Sequence, residues 1–159
     1  MPSAPVVKPE PPTDGGTDDI DFDVLPGLIG YHLRRAQVAV FAHFADSIAR
    51  QATPGQFGVL TLIGVNPGLT QSALASAVGI ERSTMVAVID GLEARCLVER
   101  RPSPVDRRSY ALVLSDAGKV LLDELKERVR AHDDKATAIL DADEKATLMA
   151  LLRRLTEGQ

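Results

Sequence analysis

The sequence has no tryptophan and one cysteine, Cys96, and its aromatic residues are four phenylalanines and two tyrosines. A single cysteine excludes an intrachain disulfide framework and suits a reducing compartment. There is no CxxC pair and no HExxH, so neither a structural zinc site nor a zincin centre is expected, and we assign no metal ligand. Nucleophile elbow, P-loop and dinucleotide fingerprint are also missing, which argues against an enzyme and against a bound cofactor. No apolar run approaches the roughly 18 residues that a membrane span needs. The N-terminus has no basic region leading into an apolar stretch, so no secretory signal is expected and the expected location is the cytoplasm. What is present is 159 residues, 45% hydrophobic and 25% charged, enough for one domain with a real core.

The charge is unevenly spread. The formal net charge is −4, which by itself speaks against a nucleic-acid binder. Residues 1–23 hold half of the ten prolines, six acids and one base, Lys8. That segment carries −5 and too little apolar surface to offset its ordering entropy, so we expect a disordered acidic tail. The body, residues 24–159, carries +1.

Apolar residues in the body recur at helical spacing. Ile29, Leu33, Ala36, Val40, Phe44 and Ile48 predict a helix from Pro26 to about Arg50. Its broad apolar surface and length of about 36 Å suggest two packing partners, its own core and a second chain. Thr53-Pro54 opens a helix ending near Asn66-Pro67-Gly68, and Thr70 caps a short helix, 71–78, broken by Gly79. Another follows from Glu81 to Arg95. Residues 97–101 and 109–114 then read as strands of a hairpin around a proline-rich tip. Ser115 caps a long helix carrying Leu121, Leu122, Leu125, Val129, Ala136 and Ile139, and Asp141 to Glu144 has capping-box spacing for a last one.

Residues 71–95 have helix-turn-helix spacing, with small Ala75 at the helix contact, Gly79 in the turn and apolar Met85 facing inward. The outward residues of the second helix, Arg82, Ser83, Thr84 and Val86, are candidates for base and phosphate contact. The competing reading is a helical hairpin in an ordinary all-α core. The hairpin that follows tips the balance. Residues 95–108 carry Arg95, Arg100, Arg101, Arg107 and Arg108 against Glu99 and Asp106, a +3 segment suited to a minor groove. A merely solvated charged turn is the alternative there.

From about Leu25 to Leu155 the chain resembles the MarR family of winged-helix transcriptional regulators. The stretches that carry the likeness are 53–60, 69–75, Ser83 to Val86, Leu92 to Arg95, Leu97 to Arg100, and above all Asp106-Arg107-Arg108 followed by Leu112 to Gly118. The resemblance implies a mainly α fold with a small β-hairpin wing. Residues 53–115 would form the winged helix-turn-helix, flanked by dimerisation helices at 24–52 and 116–159. It implies a homodimer on a double-stranded, pseudo-palindromic DNA operator, released by a small-molecule effector. By the family's D-x-R pattern, Asp106 orients the wing and Arg108 enters the minor groove, while Arg107, Arg100 and Arg101 are further DNA candidates. One departure stands out, because the family often has glycine where this chain has Cys96. A left-handed backbone there would strain cysteine. A structural residue and a redox sensor are the two readings.

Near the start of the first helix, Tyr31, His32 and Arg35 lie within about one turn. They could take an anion or a phenol, and Phe57 is grouped with them as a candidate ligand residue. Solvated or dimer-pairing arginines are the alternative. His43 lies about 16 Å along the helix from His32, too far to share a metal. Residues 25–37 are similar to MarR regulators of aromatic-acid breakdown, some of which respond to hydroxycinnamoyl-coenzyme A thioesters. The resemblance thus implies an aromatic acid or aromatic acyl-CoA effector. A winged helix that binds protein rather than DNA is the rival function, and the basic hairpin argues against it.

Overall fold

Proline and glycine set where the first helix begins. In the computed structural model, which describes residues 20–42, 44, 48, 51–103 and 109–157, Leu25–Gly27 form a 3-10 turn with Pro26 in its first positions. The turn closes its own bonds, Gly27 N to Val24 O at 3.1 Å and Leu28 N to Leu25 O at 3.0 Å. Leu28 is then extended, at φ −102° and ψ 126°, so α1 starts later than expected and covers Ile29–Ala42. The expected continuation to Arg50 falls largely outside the described residues, as does His43, although Phe44 and Ile48 are buried. Residues 1–19 of the tail and 104–108 of the hairpin tip, with Asp106, Arg107 and Arg108, also lie outside them. The chain divides into two compact units, residues 1–36 and 37–159.

Local capping chemistry fixes the elements of the second unit. Thr53 and Gln56 form a reciprocal capping box, Gln56 N donating to Thr53 Oγ1 and Thr53 N to Gln56 Oε1, with Pro54 in the first turn of α2 (Pro54–Val65). Thr70 accepts from Ala73 N to start α3 (Gln71–Val78). Gly79 ends it at φ +73°, a conformation that costs glycine nothing. Then come α4 (Arg82–Ala94), β1 (Val98–Pro102) and β2 (Tyr110–Leu114). The strands are antiparallel, Val98 opposite Leu114 and Pro102 opposite Tyr110. Leu69 bridges the outer edge of β2, where Leu112 N donates to Leu69 O and Gly68 N to Leu112 O, both at 2.9 Å. Sequence reading missed this edge, because one bridging residue leaves no alternation to detect.

Ser115 caps α5 (Asp116–Ala136) by accepting from Gly118 N. Asp141 and Glu144 form the expected capping box at the start of α6 (Ala142–Glu157). Ile139, expected on the long helix, lies beyond its end and is 90% exposed. There Thr137 Oγ1 donates to Asp133 O at 2.7 Å and Leu140 N to Thr137 O, turning the chain out of the helix.

The core of this unit gathers Leu60 and Ile63 of α2, Leu74 of α3, Met85, Ile89 and Leu92 of α4, Leu112 of β2 and Leu125 of α5. It lies under the helix-turn-helix and the strands, with α2 packed on α3, α5 and β2. The architecture is mainly α with one hairpin, as expected. Among the described residues no single helix is long and apolar enough to cross a membrane.

Candidate nucleic-acid interface

The chain direction changes by 113° between α3 and α4, within the range of helix-turn-helix motifs. Ala75 is buried at the crossing, and its carbonyl accepts from both Gly79 N and Ile80 N across the turn. Met85, Ile89 and Leu92 turn α4's inner face into the core, as the periodicity predicted for Met85. Arg82, Ser83, Thr84 and Val86 are thereby left together on the exposed face.

The end of α4 is tied to the hairpin root and to α5. Cys96 N donates to Glu93 O at 2.8 Å and Leu97 N to Leu92 O at 3.0 Å, the paired bonds of a Schellman motif. Cys96 is the left-handed residue, at φ +56°, so the strain foreseen for cysteine there is present. Ser115 Oγ donates to Cys96 O at 2.6 Å, and Ser115 N to Leu97 O at 3.1 Å. Gly118 sits against the residue just before β1, where a Cβ would lie 2.0 Å from Leu97 O.

The arginines differ from the expectation of a +3 hairpin open to DNA. Arg100 is half-buried, and its guanidinium is held by Asp90 and Glu93 of α4, with Gln71 of α3 at 3.5 Å. Partial desolvation works against its charge, but hydrogen bonds and attraction from Asp90 and Glu93 outweigh this and raise its pKa. Arg101 is more open and pairs with Glu99 at 2.9 Å. Arg95 donates to the carbonyl of Gln51, whose side chain is in turn held by Arg128 of α5. Counting the two helix acids that meet Arg100 in space lowers the +3 of residues 95–108 to +1. Sequence counting missed them because they precede the hairpin.

The candidate ligand residues fall in both units. In the first, Arg35 Nη1 donates to Tyr31 Oη at 3.1 Å, and the guanidinium lies 5.6 Å from the ring centroid. Phe22 flanks the same ring at 6.1 Å. His32 stacks edge-on to Tyr31, but its Nε2 is bonded to Pro26 O at 2.7 Å, so it secures the turn before α1. Phe57 belongs to the second unit. It lines an open cavity of about 570 Å³ between α2 and α5 with Thr61, Lys126, Val129, Arg130, Asp133 and Asp134.

Two helices broken by a left-handed glycine and followed at once by an antiparallel hairpin define a winged helix-turn-helix protein. Residues 52–110 match the model of the MarR family. A Thauera aromatica protein, proposed as the transcriptional regulatory protein for the hcr operon, is 39% identical over 146 residues, covering 91% of this chain and 88% of its own. The transcriptional repressor CouR bound to a 23-mer DNA duplex is 40% identical with a TM-score of 0.80, covering 87% of this chain and 99% of that one. CouR bound to p-coumaroyl-CoA is 37% identical with a TM-score of 0.80, over 87% and 98%. The chain belongs to the MarR family of transcriptional regulators.

Proposed function

We propose that the protein is a homodimeric repressor that leaves a pseudo-palindromic operator when an aromatic acid or its CoA thioester binds. The observation that carries the DNA half of this reading is the exposed face of α4. Arg82, Ser83, Thr84 and Val86 stand outward because Met85, Ile89 and Leu92 anchor the opposite face in the core. Two such helices would enter major grooves about 34 Å apart. Arg108, with Arg107 as a phosphate partner and Asp106 orienting the wing, would reach the flanking minor groove.

The effector half rests on chemistry and on likeness to the CouR complex. Arg35 offers a forked donor beside a phenol and Phe22, suited to a carboxylate or phosphate with an aromatic neighbour. Separately, the α2–α5 cavity joins the Phe57 ring to the cations Lys126 and Arg130. These partner Asp123 and Glu127 on their own helix. Either place can take an aromatic acyl group.

The test is fluorescence anisotropy with an operator selected from random duplexes by the purified chain. Affinity should fall steeply with salt, and Arg108→Ala, which removes one contact from each wing of the dimer, should lower the salt slope by about 1.8. p-Coumaroyl-CoA, p-coumarate and free CoA are then added separately. Release by the thioester or the acid, but not by CoA alone, is expected. Failure to select any duplex would refute the DNA reading, and release by none of the three would refute the effector class.

A further inference from the structure

We propose that Arg100 is a positioning residue that sets the rotation of α4 about its own axis, and so the aim of the recognition face, rather than a DNA contact. This inference rests on the DNA-binding reading above. Arg82, Val86, Asp90 and Glu93 follow one another at steps of four, four and three residues, so they form one continuous stripe along α4. The upper half of that stripe, Arg82 and Val86, is open. Its lower half, Asp90 and Glu93, is grasped by one guanidinium rooted in β1.

Arg100 is well placed for this. Strand alternation puts it on the same side of β1 as buried Val98, with Glu99 and Arg101 turned outward. It faces Leu112 across the hairpin, and Leu112 also carries the bridge to Leu69 at the foot of α3. Gln71 at the first turn of α3 completes the cluster. One side chain therefore links β1, α3 and α4. A planar fork can serve two carboxylates at fixed angles, which an ammonium cannot. The leverage is large enough to matter. A rotation of α4 by about 20° moves a side-chain tip roughly 6 Å from the axis by about 2 Å, enough to break a hydrogen bond to a base edge.

The two roles predict opposite results. A phosphate contact would gain from losing its competing acids, whereas a positioning residue would lose its grip. Arg100→Ala, Arg100→Lys and the double variant Asp90→Asn/Glu93→Gln are compared with wild type on the selected operator and on mixed-sequence duplex. Thermal melts verify folding, and the double variant retains Arg100 should Arg100→Ala fail to fold. The expected result is a loss of about a hundredfold in the ratio of specific to mixed-sequence affinity in all three variants, the size of one lost base contact in each half-site. The salt slope of Arg100→Ala on mixed-sequence duplex should stay at the wild-type value. A slope lowered by about 1.8 in Arg100→Ala, one contact per subunit of the dimer, rescue by Arg100→Lys, or a double variant with an unchanged or higher ratio would overturn the positioning role. Wild-type protein that selects no duplex would instead overturn the DNA-binding reading.

Discussion

Cys96 occupies a position that the backbone would rather give to glycine. Its φ of +56° is forced from both sides, by the Schellman bonds that close α4 and by Ser115, which holds its carbonyl. A side chain in the left-handed region costs about 1–2 kcal/mol, part of which glycine gives back as lost chain entropy. Cys96→Gly is therefore expected to raise stability by about 0.5–1 kcal/mol in urea unfolding, with an unchanged denaturant slope. Unaltered or lower stability would mean that the thiol makes compensating contacts. The anomaly was legible in the sequence as a cysteine at the foot of a helix where the family often has glycine. The tightness of Gly118 was not, because the atom it would strike, Leu97 O, is 21 positions away. His32 shows the opposite failure. Its spacing put it beside Tyr31 and Arg35, but its ring nitrogen is already bonded to Pro26 O.

At the scale of elements, capping residues told nearly everything. Thr70, Ser115 and Asp141 marked helix starts that the structure reproduces, and Gly79 marked a stop. The Thr53–Gln56 box is equally readable from its spacing, beyond the threonine cap and the proline that follows it. Charge was where reading by element failed. The hairpin looked strongly basic until α4 folded Asp90 and Glu93 against it. Of the cations near the recognition face, Arg82 stands in the exposed first turn of α4. Arg82→Ala should weaken binding to mixed-sequence duplex and lower its salt slope by about 1.8, one contact from each subunit, read from a salt titration. A slope equal to wild type would remove Arg82 from the contact surface. The contrast with Arg100, whose substitution should leave that slope alone, separates a residue that touches phosphate from one that aims the helix.

At the scale of the whole molecule, α6 has no buried residue, although Leu148, Leu151, Leu152 and Leu155 form a stripe at helical spacing. These four are between 37% and 50% exposed. An apolar stripe of this kind needs a partner surface, which is the basis for the proposed homodimer. Leu151→Glu/Leu155→Glu should give a monomer by sedimentation and abolish two-site operator binding while leaving the fold of the 37–159 core measurable by circular dichroism. A dimer that persists in that variant would move the interface elsewhere. The sequence by itself determined the order of helices and strands, most of their caps and the family, because periodicity and capping are encoded within a few neighbouring positions. Only the tertiary structure decided which arginines are already engaged, which ring nitrogen is occupied, and that Phe57 belongs with Lys126 and Arg130 rather than in the unit that holds Tyr31. Those outcomes depend on side chains far apart along the chain, whose charges and hydrogen bonds meet only once the core has packed.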